Sequence, residues 1–185
     1  MPTSPPLALM DAAAVRRALA RMAREIVERN DGVEGLVLMG IRRRGDHLAA
    51  LLRDEIRSAE GATVPVGVLD ITLYRDDLAT VGPRPVVGET GLPPEGIDGR
   101  AVVLVDDVLY TGRTVRAALN ELMDWGRPAR ILLCVLVDRD GRELPIHADI
   151  LGRTVEVADG QRVDVLVPEL DGRLAVELVG AGERA

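Results

Sequence analysis

An uninterrupted apolar run that ends in two carboxylates is the most constraining feature of this chain. Residues 102–105 read Val-Val-Leu-Val, Asp106 and Asp107 follow directly, and apolar side chains then recur at helical spacing over residues 115–122. A continuous apolar run is typical of a strand covered on both faces, as in parallel sheets. Open α/β sheets bind ligands at the carboxyl ends of such strands. The run therefore predicts an α/β fold with Asp106 and Asp107 at a ligand site.

The loop that follows this strand has the features of an anion site. Residues 110–114 read Tyr-Thr-Gly-Arg-Thr and lie just before the predicted helix, so they offer hydroxyls and free backbone N–H groups. The lysine-containing pattern of nucleoside-triphosphate P-loops is missing. Carboxylates beside a phosphate-sized loop suit a ligand with vicinal hydroxyls near a phosphate, and ribose 5-phosphate is such a ligand.

The rest of the chain predicts a single domain over residues 1–185, with a mainly parallel central sheet flanked by helices. The predicted strands are 36–41, 66–72, 101–105 and 130–137, and the predicted helices are 11–30, 46–60 and 114–125. Asp11 is the expected N-cap of the first helix, and Gly32 and Gly126 are expected stops. Short alternating segments at 149–157, 162–167 and 174–179, with Asp171-Gly172 as a hairpin turn, predict a small C-terminal β hood over residues 149–180.

A long segment, residues 73–99, is rich in Gly and Pro and has no pattern of its own. A connection of that length in a compact domain is usually functional or disordered. Three arginines, Arg42, Arg43 and Arg44, follow the strand at 36–41 and form an anion site by charge alone. The alternative for the long segment is a plain linker. The alternative for the three arginines is a solvated basic turn.

Composition excludes several function classes. The net charge is −7 and aromatic residues make up 2%, with no Phe, so indiscriminate nucleic-acid binding and base stacking on aromatic platforms are excluded. Arg17, Arg21 and Arg24 share one helical face, which is either a solvated face or a stripe for RNA phosphates. Cys134 lies in an apolar run and is expected to be a packing residue. Without a signal-type start or a membrane-length apolar run, we expect a cytoplasmic protein.

Three motifs carry a resemblance to a known family. Val-Asp-Asp-Val-Leu-Tyr-Thr-Gly-Arg-Thr at 105–114 resembles the 5-phosphoribosyl-1-pyrophosphate (PRPP) signature of the type I phosphoribosyltransferases. Together with Asp-Ile-Thr-Leu-Tyr-Arg-Asp-Asp-Leu at 70–78, and Val-Asp-Arg and Arg-Glu-Leu-Pro-Ile within 137–146, it resembles the bacterial pyrimidine-operon attenuation regulators. Those proteins are uracil phosphoribosyltransferases that also bind RNA. The resemblance covers about residues 11–149 and implies the type I fold, with a flexible loop or hairpin over 73–99.

The resemblance also implies roles for residues. Asp106 and Asp107 would hold the ribose hydroxyls beside a cationic transition state, and Arg75, with Arg84 as a weaker candidate, would cover the pyrophosphate. Arg43 and Arg44 occupy the pyrophosphate-loop positions. The stretch implied to bind PRPP or UMP is Asp106, Asp107, Val108, Leu109, Tyr110, Thr111, Gly112, Arg113 and Thr114. Mg²⁺ would accompany the pyrophosphate, held mainly by substrate and water, and no protein metal ligand is assigned.

The base pocket and the RNA surface depart from the family pattern. The implied pocket for uracil or UMP is formed by Val137, Asp138, Arg139 and Val157. The candidates for contact with attenuator mRNA are Arg17, Arg21, Arg24, Arg142 and His147. Residues 155–160 read Val-Glu-Val-Ala-Asp-Gly, whereas the family usually has Pro-Thr-Ser in this segment. The family also usually has Gly-His at 140–141 and arginine at 147.

Three functions therefore remain open for the sequence. The first is a uracil phosphoribosyltransferase that also regulates transcription through RNA. The second is a phosphoribosyltransferase for another base without an RNA role, and the third is a nucleotide-sensing RNA regulator with little catalysis. The expected assembly is a homodimer or a larger homo-oligomer.

Overall fold

The computed structural model describes residues 6–75 and 88–180. Its elements, in chain order, are β1 (Leu7–Met10), α1 (Ala12–Asn30), β2 (Leu36–Ile41), α2 (Gly45–Glu60), β3 (Val66–Leu69), a 3₁₀ turn (Ile71–Tyr74), β4 (Ala101–Leu109), α3 (Arg113–Trp125), β5 (Arg130–Arg139), β6 (Ile150–Val155), β7 (Arg162–Leu166), α4 (Pro168–Asp171) and β8 (Ala175–Val179). Among these described residues, no helix is long and apolar enough to cross a membrane.

Five parallel strands form the central sheet in the order β3-β2-β4-β5-β6. Side chains of α1 and α2 pack on one face of the sheet, and those of α3 pack on the other. The predicted α/β class is confirmed. Because β4 is the middle strand, the residues at its carboxyl end lie at the centre of the edge where such sheets bind ligands.

The apolar run of β4 is buried on both sides because its residues alternate between two cores. Val103 and Val105 pack with α1 and α2, whereas Val102 and Leu104 pack with α3. Helices on both faces of a parallel sheet leave no polar face, so the strand shows no polar alternation. The strand continues to Leu109, four residues beyond the predicted end.

Local capping signals fix the ends of α1 and α3 as the sequence predicts. The Asp11 carboxylate accepts the N–H of Ala14 at 2.7 Å at the start of α1. The helix ends where Gly32 donates its N–H to the carbonyl of Val27. Gly126 follows the last residue of α3. These bonds satisfy backbone groups that a helix end would otherwise leave unpaired.

The hood differs from its predicted form. Its sheet is antiparallel with the order β1-β8-β7, and β1 was not predicted. Strand β6, predicted as part of the hood, instead extends the central sheet through parallel pairing with β5. The predicted hairpin turn at Asp171-Gly172 is the end of the short helix α4, where Gly172 has φ +70°. Here "the hood" denotes β1 together with residues 162–179.

Candidate active site

Two adjacent carboxylates occupy the carboxyl end of β4. The N–H of Asp107 donates to Asp106 Oδ1 at 3.0 Å, and the N–H of Val108 donates to Asp107 Oδ1 at 2.8 Å. Asp106 is 4% exposed, whereas Asp107 is only partly buried. Successive strand residues point to opposite faces, so Asp107 is the carboxylate with better access to a ligand.

Burial dominates the titration of this pair. Burial raises the pKa of Asp106 well above its ordinary value, and the neighbouring Asp107 charge raises it further. Burial also raises the pKa of Asp107, opposed by the Val108 N–H and by the positive charge of Arg44. Two adjacent carboxylates with little access to water are unfavourable when both are charged. The pair is therefore suited to a ligand that brings hydroxyl donors or positive charge.

The loop between β4 and α3 presents an uncapped helix start. Gly112, with φ +91°, occupies the N-cap position of α3 and has no side chain that could cap the helix. The N–H of Arg113 donates to Thr111 Oγ1 at 3.3 Å. A Cβ on Gly112 would lie 3.3 Å from Leu144 Cβ, so the loop packs closely on the segment after β5. Free N–H groups at a helix N-terminus favour an anion.

The loop that carries Arg42, Arg43 and Arg44 joins β2 to α2. It lies on the other side of β4 from residues 110–114. The Arg42–Arg43 peptide bond is cis, and Arg44 has φ +76°, an uncommon value for a residue with a side chain. Arg43 is exposed, whereas Arg44 Nη2 pairs with Asp171 Oδ1 of the hood at 3.0 Å. Gly45 lets α2 approach β4, because a Cβ there would lie 2.5 Å from the Val105 carbonyl oxygen. Arg44 therefore lies between the hood and the carboxylate pair.

A polar network at the end of β3 was not predicted. The N–H groups of Thr72 and Gly88 donate to the Asp70 carboxylate at 3.0 and 2.5 Å. Burial alone would raise the pKa of Asp70, but hydrogen bonds from the Thr72 hydroxyl and from these two N–H groups hold it below its ordinary value. The Thr90 hydroxyl accepts the Asp70 N–H and donates to the buried carboxylate of Glu121 on α3. An Asp at a strand end, two residues before Thr, is the cap-like signal that points to this network.

The network joins residues just before the long segment to residues within it. Arg75 is exposed and is the last described residue before residues 76–87. Its role over the pyrophosphate stays a prediction, and the weaker candidate Arg84 lies outside the described residues. Strand β3 also pairs with the returning chain through Val68 and Gly91.

A cavity of about 460 Å³ opens beside the end of β4. It is lined by Val108, Tyr110, Arg139, Asp159, Gly160, Gln161, Arg162, Val163 and Gly180. The Arg139 guanidinium stacks over the Tyr110 ring at 4.0 Å from its centroid and donates to the Gln161 carbonyl at 3.2 Å. The cavity therefore lies between the hood and residues 110–114, which we call the phosphate loop.

Only one of the four predicted base-pocket residues lines this cavity, and that residue is Arg139. Val137 is fully buried in the sheet and Val157 is 8% exposed, so neither side chain reaches the cavity. The Asp138 carboxylate pairs with Arg142 Nη2 at 2.6 Å. The base-pocket roles of Val137, Asp138 and Val157 stay predictions.

The predicted RNA residues do not form one surface. Arg17 and Arg24 are exposed on α1, but Arg21 donates to the carbonyls of Leu151 (3.4 Å) and Gly152, and so packs on the edge of β6. The segment that carries Arg142 and His147 packs with α3, on the face of the sheet opposite α1. In a single copy of the chain the sheet therefore separates α1 from this segment, and the RNA role of these residues stays a prediction. His147 is exposed.

Comparison with known proteins identifies the class of this fold and site. The phosphoribosyl transferase domain family matches residues 7–166. A solved hypoxanthine phosphoribosyltransferase of Trypanosoma cruzi superposes with a TM-score of 0.70 at 19% identity, over 95% of this chain and 97% of that chain. At that identity the likeness shows the fold alone.

Two relatives narrow the assignment. Bifunctional protein PyrR of Thermus aquaticus is 58% identical over 170 residues, which are 92% of this chain and 93% of that protein. Bifunctional protein PyrR of Pelotomaculum thermopropionicum is 53% identical over 175 residues, 95% of this chain and 96% of that protein. The chain therefore belongs to the phosphoribosyl transferase domain family and, within it, to the family of the bifunctional PyrR proteins.

Proposed function

We propose that this protein transfers the 5-phosphoribosyl group from PRPP to uracil, giving UMP and pyrophosphate, and regulates pyrimidine-operon transcription by UMP-dependent binding to attenuator mRNA. The observation that carries the proposal is the carboxylate pair of buried Asp106 and partly buried Asp107 next to the start of α3, where Gly112 offers no capping side chain. Membership of the bifunctional PyrR family supports both activities. The proposed unit is one domain over residues 1–185, assembled as a homodimer or larger homo-oligomer in the cytoplasm.

The proposed mechanism is mainly electrostatic positioning. The transferred group passes through a cationic, oxocarbenium-like state when the bond from the anomeric carbon to pyrophosphate breaks. Asp107 would accept hydrogen bonds from the ribose hydroxyls and place negative charge beside that cation. Residues 110–114 would hold the 5-phosphate, so that binding energy far from the reacting bond orients the sugar.

The arginines at this edge would bind the leaving pyrophosphate. Arg43 is exposed just before α2, and the charge of Arg44 opposes the rise in the pKa of Asp107 that burial causes. Pyrophosphate would give Arg44 a second anionic partner besides Asp171. Arg75 is proposed to cover the pyrophosphate from the long segment.

Mg²⁺ fits this site as a partner of the substrate rather than of a protein cage. Within residues 6–75 and 88–180, no group of three or more His, Cys, Asp or Glu side chains could hold a metal ion. Asp106 and Asp107 provide carboxylate oxygens that a hard cation prefers, and substrate oxygens with water would complete its shell. When bound, the ion would neutralise charge on pyrophosphate.

The test is PRPP consumption with uracil, hypoxanthine and guanine in parallel, each with and without Mg²⁺. Uracil alone should support rapid pyrophosphate release. Turnover with a purine in place of uracil would favour a phosphoribosyltransferase for another base, an alternative that gains weight because three predicted pocket side chains do not line the cavity. UMP-dependent RNA affinity without PRPP consumption would favour a regulator with little catalysis.

A further inference from the structure

Arg142 is directed into the protein, toward the phosphate loop. Its Nη1 donates to the carbonyl oxygen of Tyr110, and its Nη2 donates to Asp138 Oδ1 at 2.6 Å. The side chains of Arg142 and Asp138 are each 20% exposed. The guanidinium is thus already paired within the fold, which is a poor arrangement for a residue that contacts an external polyanion.

The two residues after Arg142 bind the same loop. The N–H groups of Glu143 and Leu144 donate to the Thr111 carbonyl oxygen at 3.0 and 3.1 Å. The Glu143 carboxylate pairs with Arg113 at the start of α3, with 2.5 Å between Oε2 and Nη2. We call residues 142–144 the carbonyl clamp, because they hold two successive carbonyl groups of the phosphate loop.

Because the peptide unit is planar, the bonds to these carbonyl groups determine the direction in which the N–H groups of the loop point. A trans peptide unit is planar, with its C=O and N–H pointing in opposite directions. Within the described residues the only cis bond is Arg42–Arg43, so the units that follow Tyr110 and Thr111 are trans. When the clamp holds both carbonyl oxygens, the N–H groups of Thr111 and Gly112 point away from it. Successive N–H groups on one side of a loop form an anion-binding nest.

The sequence is adapted to this close approach. Gly141 has φ +103°, and a Cβ at this position would overlap the Tyr110 ring. A glycine immediately before the clamp therefore allows Arg142 to reach the Tyr110 carbonyl. The positive φ of Gly112 belongs to the same turn. Both glycines relieve a steric conflict that other residues would create.

We propose that Arg142 is a positioning residue for the 5-phosphate of PRPP and UMP. It acts through the Tyr110 carbonyl and fixes the direction in which the loop N–H groups point. Asp138 holds the guanidinium in place. This inference rests on the proposed function, because it assigns the phosphate monoester to residues 110–114.

The test compares Arg142→Gln, Arg142→Lys and a control variant, Arg57→Gln, which alters an exposed arginine in the last turn of α2. For Arg142→Gln, KM for PRPP should rise about tenfold, which corresponds to one charge-assisted hydrogen bond, while KM for uracil and kcat change less than about twofold. Arg142→Lys should fall between this variant and the wild type, since one ammonium cannot hold both partners as the fork does. Arg57→Gln should match the wild type.

Binding by calorimetry separates phosphate positioning from general damage. Affinity for UMP should fall by a similar factor in Arg142→Gln, and affinity for uridine should not change. Unchanged KM for PRPP together with weaker RNA binding would overturn the inference and assign Arg142 to RNA. Equal losses for UMP and uridine would also overturn it. If the Gln variant does not fold, the Lys variant decides by the same measurements.

The wild type is measured first, so that the two proposals fail separately. A wild type that binds UMP but does not consume PRPP with uracil contradicts the proposed catalysis alone, and the comparison of UMP with uridine still decides the role of Arg142. Wild-type turnover with unchanged Arg142 variants contradicts the positioning role alone.

Discussion

At the scale of residues, the site contains carboxylates whose burial is unfavourable. A ligand that brings hydroxyl donors or positive charge would stabilise them. Asp106 is buried beside Asp107, and nearby donors offset only part of the penalty. Such an arrangement is typical of sites where a ligand supplies the missing partners. Catalysis and stability should therefore respond differently to substitutions in this pair.

Asp107→Asn should lower kcat by on the order of 10² or more, because it removes negative charge beside the cationic transition state. The amide still accepts the Val108 N–H, so the local fold should persist. Steady-state turnover of PRPP with uracil measures the effect, and the melting temperature is its control. Near-normal turnover would contradict the placement of the ribose at this pair.

Asp106→Asn should stabilise the protein at pH 8 more than at pH 5. The folded protein has a raised pKa at Asp106, so wild-type stability falls as pH rises from the unfolded value, about 3.9, through the folded value. Asparagine removes this loss and still accepts the Asp107 N–H. Urea unfolding at both pH values gives the difference. A stability gap that does not change with pH would show that Asp106 titrates normally.

At the scale of elements, local patterns predicted what local interactions determine. The helices α1 to α3 and the strands β2 to β5 follow from apolar runs, apolar periodicity and caps such as Asp11. Strand β1 pairs with β8, more than 160 residues away in sequence, and four residues carry too weak a pattern to reveal that pairing. The membership of β6 in the central sheet is likewise set by its partner β5.

The candidate site likewise has one part that follows from local sequence and another that depends on contacts between distant segments. The carboxylate pair and the glycine loop are contiguous in sequence, and the structure places them together at the end of β4. The clamp and the cavity involve contacts between segments about 20 to 70 residues apart, such as Arg142 with Tyr110. Neither the composition of the chain nor the spacing of its residues predicts such contacts.

Gly45→Ala should destabilise the protein by about 1–3 kcal/mol, although alanine usually favours a helix. The new Cβ would lie 2.5 Å from the Val105 carbonyl oxygen, and backbone atoms on both sides prevent an easy shift. Gly91→Ala is the control, because a Cβ there meets nothing within 4 Å. Urea unfolding compares the two variants. Equal stability of both would mean that α2 does not approach β4 so closely.

Arg75→Ala should weaken the PRPP reaction and leave UMP binding largely intact, because only PRPP carries pyrophosphate. The Asp70 network next to Arg75 should remain, because its bonds join Asp70 to Thr72, Gly88 and Thr90. KM for PRPP is compared with the dissociation constant of UMP. Equal losses for both ligands would contradict a role of Arg75 at the pyrophosphate.

At the scale of the whole molecule, the arrangement of charge limits how RNA is bound. The chain has a net charge of −7, so specific RNA binding requires a concentrated basic surface. In one copy of the chain, the exposed arginines of α1 and the His147 segment lie on opposite faces of the sheet. If both take part, an assembly of two or more copies must bring them to one RNA.

The double variant Arg17→Glu/Arg24→Glu should abolish UMP-dependent binding to the leader RNA of a pyrimidine operon and retain PRPP turnover with uracil. Both side chains are exposed on α1, whereas Arg21 is left unchanged because it bonds the β6 backbone. The control Arg57→Glu/Arg127→Glu changes the net charge equally at exposed sites outside α1 and should bind RNA nearly as the wild type does. Filter binding over a salt series measures affinity, which should weaken steeply with salt in the wild type because phosphate contacts release counterions. Equal losses in both double variants would show that overall charge rather than this face governs RNA binding, and no UMP dependence in the wild type would contradict the regulatory role itself.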